Sequence, residues 1–135
     1  MPISAWEICL KTDAAFSDCR NYRYALWRVW DEARPYVAII GLNPSTADEF
    51  QNDPTINRCI SFAQFWGYGG VCVVNLFAFR ATVPADMMRV KAPAGPENDK
   101  WLVEISRSAG AVVAARQPPH HHTQGKINHE KSCRY

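Results

Sequence analysis

Apolar and polar positions along the chain predict alternating strands and helices. After an irregular opening, RYALWRVW (Arg23 to Trp30) is apolar on both faces and rich in aromatics, as a strand in or beside a sheet is. YVAII (Tyr36 to Ile40) is a continuous β-branched run beyond the turn-like Asp31 to Pro35, and the two segments are expected to pair as a hairpin. Gly41, Asn43 and Pro44 in GLNPSTAD then break the strand and open a loop at its C-terminal end. Asp53 followed by Pro54 reads as an N-cap and first helical position, and Ile56, Cys59, Ile60 and Ala63 recur at helical spacing, so a helix is predicted from Pro54 to Trp66. Gly67, Gly69 and Gly70 end it, and VCVVNLF (Val71 to Phe77) is again a buried β-type run.

Residues 78 to 93 read as loop. A second helix is expected to start near Pro96, where Glu97 and Asp99 suit the positive end of its dipole and Trp101, Leu102 and Ile105 share a face, and to stop at Gly110. AVVAA (Ala111 to Ala115) reads as one more buried strand. The alternation predicts an α/β fold with a mainly parallel sheet covered on both faces and preceded by an antiparallel hairpin. From Arg116 the character changes: residues 116–135 hold all four His and almost no apolar residues, and are expected to be a disordered or non-native tail to a single domain spanning 1–115.

Composition sharpens this picture. A chain of 135 residues suits one domain and can bury a core without disulfides or metal. The net charge of +2 belongs to the tail, which takes four of the 15 basic residues and one of the 13 acidic ones. The body is therefore not basic, which argues against a protein that coats long duplex nucleic acid. Five cysteines form no CxxC pair, so a reducing compartment, no structural zinc and no cofactor are expected. No run approaches the ~20 apolar residues of a membrane span, and the opening MPISAWEICLKTD has no signal-like pattern, which makes the cytoplasm the expected location and excludes a membrane partner. Oligomeric state is not legible.

Candidate chemistry clusters where strands end. In open α/β sheets ligands bind beyond the C-terminal ends of strands, where GLNPST and NLFAFRAT fall. Asn43 and Asn75 can face one crevice, and a carboxamide offers the donor and acceptor that match the edge of a nucleobase lactam. The competing reading gives Asn43 an Asx-turn before Pro44 and makes Asn75 a strand cap. Ser45, Thr46 and Thr55 at a helix N-terminus can hold an anion, but Asp48, Glu49 and Asp53 crowd that entrance, and neither GxxxxGK[ST] nor GxGxxG is present. Phe50, Tyr68, Phe77 and Phe79 can stack on a base or line the core; Arg58, Arg80 and Arg89 can meet phosphate or solvent. His120, His121, His122, His129 and Cys133 read as a solvated run, not a metal site, and without GxSxG or a His outside the tail a hydrolase triad is excluded.

The segments CRNYRYALWRVWD, IGLNPSTAD, DPTINRCISFAQFWGYGG, VVNLFAFRAT and PAGPENDKWL resemble the bacterial and phage family called domain of unknown function 1643, over about Cys19 to Ala115. More distantly, GLNP and VVNLFAFRATVP are similar to the strand-end motifs of the uracil-DNA glycosylase superfamily. That resemblance implies a three-layer αβα sandwich and hydrolysis of the N-glycosidic bond of a nucleobase. It places Asn43 as the catalytic residue that orients water and Asn75 as the reader of the base edge, with Gly41, Leu42, Pro44, Ser45, Phe77 and Arg80 around the substrate. The implied partner is a nucleobase-containing ligand, DNA or a nucleotide. Members of the family continue past the last strand with another helix, a strand and an HPLY-like segment, so the resemblance also implies a C-terminally truncated domain. The alternative is a non-catalytic nucleobase or nucleotide-binding module, or an inactive remnant.

Overall fold

The computed structural model describes residues 11–115, which form a small α/β fold with one five-stranded mixed sheet and three helices. The strands are β1 (Lys11–Phe16), β2 (Arg23–Val29), β3 (Tyr36–Gly41), β4 (Gly70–Asn75) and β5 (Ala111–Ala114). The helices are α1 (Pro54–Phe65), α2 (Pro84–Met88) and α3 (Asn98–Ser108). The His-rich segment, Cys9 and Cys133 lie outside the described residues.

Sheet order is β1-β2-β4-β3-β5. Its middle is β4, buried at every position, and a strand so apolar must be covered on both faces and paired along both edges. It pairs antiparallel with β2 and parallel with β3, so the expected β2–β3 hairpin does not form: β4 lies between the two. The connection from Trp30 to Pro35 instead crosses the start of β4, where the Trp30 and Asp31 amides both donate to the Gly69 carbonyl. A Cβ at Gly69 would stand 2.0 Å from the Asp31 carbonyl oxygen, so the crossing needs glycine there. The antiparallel hairpin is β1 with β2, closed by a turn with Arg20 at φ 64. With two antiparallel and two parallel pairings the sheet is mixed, not mainly parallel.

Two helices cover opposite faces, and strand alternation decides which residues they meet. Val37, Ile39, Val71 and Val73 pack with Ile56, Cys59, Ile60 and Ala63 of α1; Ala38, Cys72 and Val74 pack with Ile105, Trp101 and Leu102 of α3. Asp53 caps α1 as its spacing predicts, Oδ1 accepting from the Ile56 amide at 2.9 Å, and Pro54 opens the helix. Ile56 and Ile60 are fully buried, each worth about 1.5–3 kcal/mol of transfer free energy. The segment read as loop contains the single-turn α2, while β5 is an edge strand whose Val112 faces solvent rather than a buried one. Among the described residues no helix is long and apolar enough to cross a membrane.

This topology makes a crevice. β3 leads into α1 on one face, its neighbour β4 leads toward α3 on the other, and their outgoing loops separate where Gly41 and Asn75 stand in register.

Candidate functional site

A cavity of about 420 Å³ opens at that divergence, between α1 and the C-terminal ends of β3, β4 and β5. Its size is that of a small-molecule site. Ile39, Val73, Val113, Ile56 and Phe62 supply apolar wall, and the polar groups converge from five segments: Arg23 from β2, Asn43 and Ser45 after β3, Asn75 at the end of β4, Thr82 before α2, and Asp53, Thr55 and Arg58 at the start of α1.

The loop after β3 is held on all sides. The Arg80 guanidinium donates to the carbonyls of Ser45 and Thr46 at 3.3 Å each. Arg23 donates to the Ala47 carbonyl at 3.1 Å, and buried Arg28 to those of Asp48 and Gln51 at 2.6 and 3.2 Å. Asp53 Oδ2 accepts from the Ala47 amide at 3.2 Å. Arg20 pairs with Glu49 through two bonds of 3.1 and 2.8 Å. Guanidinium groups thus replace the water that would otherwise solvate this loop's carbonyls, and the site is fixed before any ligand arrives.

Asn43 ties this loop to the next. Its Nδ2 donates to the carbonyls of Pro44 at 3.0 Å and Ala81 at 2.9 Å, which spends both amide hydrogens and fixes the orientation of the carboxamide. Its Oδ1 accepts nothing from the described residues. No Asx-turn forms, because such a turn needs Oδ1 as acceptor. Asn75 is the converse: it is 3% exposed, its Oδ1 faces Nη2 of Arg23 at 3.5 Å, and its Nδ2 donates to no described residue. Its backbone is held from the other face of the sheet by Asn98, whose Nδ2 donates to the carbonyls of Asn75 and Leu76 at 2.8 and 3.1 Å.

Of the residues singled out in the sequence, Gly41, Asn43, Pro44, Ser45 and Asn75 line the cavity together. Leu42, Phe77 and Arg80 are not among its lining. Leu42 and Phe77 extend the β3–β4 pairing, the Phe77 amide donating to the Leu42 carbonyl at 3.0 Å. Arg80 is a strap: besides Ser45 and Thr46 it reaches the Arg20 carbonyl, and its guanidinium lies 4.8 Å from the centre of the Phe16 ring.

Arg23 is the residue that sequence reading missed. Pairing Ala15 with Ala25 and Phe16 with Arg23 leaves Tyr24 unmatched, a β-bulge. Tyr24 then turns with Trp27 toward Trp101 of α3, at ring separations of 6.4 and 5.9 Å, and the bulge re-aims Arg23 to the opposite face and into the cavity. Arg23 is 2% exposed, and among the described residues it joins no ion pair and its Nε has no hydrogen-bond partner. Burial lowers its pKa to about 10, with Asp53 opposing the shift and Arg80 and Arg28 adding to it. Burial pushes the thiol of Cys59, also in the lining, up to about 12, so it is a protonated wall group and not a nucleophile. Among the described residues no three His, Cys, Asp or Glu side chains gather as metal ligands.

The model of one protein family, described as a protein of unknown function (DUF1643), matches residues 23–132. No curated protein and no solved structure matches the chain.

Proposed function

The chain belongs to the DUF1643 family, whose description carries no activity, and from that premise we propose that the cavity binds a nucleobase and hydrolyses its N-glycosidic bond. The observation that carries this reading is the pair of carboxamides in one cavity, each with one half spent on the protein and the other half free. Asn75 keeps a donor, which suits the carbonyl on a base edge; Asn43 keeps an acceptor, which suits the hydrogen of an attacking water. Apolar walls with Phe62 among them suit a flat ring. Helices packed on both faces of the sheet, with these motifs at strand ends, support a distant relation to the αβα uracil-DNA glycosylases. Cleavage passes through an oxocarbenium-like state, so the site has to extrude the base, place water and stabilise the departing base. A neutral Asn43 orients water but is a weak base, so slow turnover is expected.

The test is release of free base from uracil-containing single-stranded and mismatched DNA and from nucleosides. Release that is lost in Asn43→Ala supports the proposal. Absence of release on every substrate at high protein concentration removes hydrolysis from it.

One observation favours a second reading, a non-catalytic nucleobase-binding module. Asp53 is the carboxylate in the cavity lining, and both its oxygens already accept from backbone amides, which leaves it poorly placed as a base. Calorimetric binding of a free base that is weakened by Asn75→Ala, with no turnover, selects this reading.

A further inference from the structure

We propose that Arg23 is the anion anchor of the cavity and takes the negative charge of an ionised lactam, the form a nucleobase has at the moment its glycosidic bond breaks. This deepens the nucleobase reading and rests on it. A guanidinium has five N–H donors, and among the described residues Arg23 spends two bonds, both on neutral oxygens: the Ala47 carbonyl at 3.1 Å and Asn75 Oδ1 at 3.5 Å. A cation so deeply buried is costly unless an opposite charge meets it, and none of the ion pairs among the described residues supplies one. The charged and titratable groups that act on it are Asp53 and Cys59 on the α1 side, with Arg28 and Arg80. Arg58 adds another positive charge to the lining, against the single carboxylate of Asp53.

Two kinds of anion compete for such a site, and the geometry separates them. A phosphate seeks the free amides of a helix N-terminus. Here the Asp53 carboxylate already caps that end through the Ile56 amide, and its other oxygen holds the Ala47 amide of the preceding loop, so a phosphate would meet a negative charge there. The wall is mixed, and its apolar part, Ile39, Ile56, Phe62, Val73 and Val113, favours an anion whose charge is spread over a flat ring. Arg23 also touches the oxygen of Asn75, so a base whose carbonyl accepts from Asn75 Nδ2 is brought beside the guanidinium.

In the reaction, the bond from the sugar carbon to the base nitrogen breaks and its electron pair stays on the base, where the charge of Arg23 stabilises it. The oxygen of water bonds to the sugar carbon and its proton passes to solvent. The released base later takes a proton from solvent.

Calorimetry with uracil, 5-fluorouracil and 5-nitrouracil tests this on the full chain, since the ring is constant and its N–H acidity rises along the series. At a pH where 5-nitrouracil is ionised and uracil is neutral, 5-nitrouracil is expected to bind at least about tenfold more tightly. Arg23→Lys keeps that preference and Arg23→Met abolishes it. Should Arg23→Met fail to fold, the pH profile of the unaltered protein decides: affinity for 5-nitrouracil rises as the ligand ionises, and a flat profile overturns the anchor. Equal affinity along the series overturns the anchor and leaves the nucleobase site standing, whereas no binding of any of the three overturns both. Displacement of 5-nitrouracil by inorganic phosphate overturns the assignment to a lactam.

Discussion

Gly41 and Asn75 are register partners on adjacent parallel strands, and a Cβ on Gly41 would stand 3.0 Å from Nδ2 of Asn75. Glycine at the end of β3 therefore makes the space in which the carboxamide at the end of β4 lies. The GLNP segment and the VVNLF segment are not two independent motifs; they meet at this contact, where the loops of the sheet part.

Gly41→Ala is expected to leave the fold intact, because Gly41 is not at positive φ, and to shift the Asn75 carboxamide by a few tenths of an ångström. Overpacking of this kind costs about 1–3 kcal/mol. Loss of ligand binding should outrun the loss of stability, as placement errors in a preorganised site do. Urea denaturation and calorimetry on the same variant check this; equal affinity in the variant means that Asn75 does not touch the ligand.

Asn43→Asp looks like the way to a faster enzyme, since a carboxylate is the better base. The hydrogen bonds predict otherwise. Both amide hydrogens of Asn43 go to carbonyl oxygens, and a carboxylate placed there faces the Pro44 and Ala81 oxygens with nothing to donate. The expected cost is about 2–4 kcal/mol at neutral pH. The acid form can still donate one hydrogen, so the folded state raises the pKa of the new group above its unfolded value. Stability is then highest below the ordinary carboxylate range and falls as pH rises through the raised value. Denaturation midpoints followed against pH, beside those of the parent, measure this slope.

The readable parts of this fold are those whose cause is local. Asp53-Pro54 and the spacing of Ile56, Cys59, Ile60 and Ala63 specify α1 without reference to the rest of the chain. Gly41, Asn43 and Asn75 were legible as strand-end residues for the same reason. Pairing was not legible, because the neighbours of β4 depend on its need for cover along both edges, and β2 and β3 lie next to each other in sequence but not in the sheet. β1 went unread because Lys11, Thr12 and Asp13 carry the polar signature of an exposed edge. Arg23 was hidden by a bulge that exists only once β1 and β2 are in register, and simple alternation would place it on the α3 face. The one available signal was a charge opening an otherwise apolar run.

Arg80 separates a strap from a ligand contact. Its donors go to the carbonyls of Ser45, Thr46 and Arg20 at 3.3–3.4 Å, a fork that an ammonium group does not reproduce. Arg80→Lys is expected to lose about 1–2 kcal/mol of stability and to open the 41–53 loop to limited proteolysis. A variant of full stability with abolished binding would mean that Arg80 contacts the ligand directly.

The Arg20–Glu49 pair makes that loop sensitive to acid. The Arg20 guanidinium holds the Glu49 carboxyl down from its ordinary 4.5 to about 2. A depressed carboxylate contributes stability above its unfolded pKa and loses it as pH falls through the folded one, so the window is about 4.5 to about 2. The pair is exposed to solvent, so its contribution is small and is reduced by salt. Glu49→Gln should flatten stability in that window, and an unchanged acid slope in this variant would show that the pair does not act.

Arg23 is the residue for which stability and binding are expected to move in opposite directions. A buried guanidinium with no carboxylate in direct contact, Asp53 acting on it only from a distance, costs more than its two neutral hydrogen bonds return, and replacement by an apolar side chain of similar length removes that cost. Arg23→Met is therefore expected to be neutral or stabilising, by up to about 2 kcal/mol, while the preference for the ionised base is lost. The pH dependence has a definite sign. The folded-state pKa is lowered to about 10, so above that pH the native protein releases the proton before the unfolded chain does, and stability rises with pH until the unfolded arginine titrates as well. Arg23→Met lacks this rise. Urea denaturation of parent and variant across the alkaline range tests both statements, and a destabilisation of more than about 1 kcal/mol in the variant would assign Arg23 to the framework of the loop instead of to the ligand.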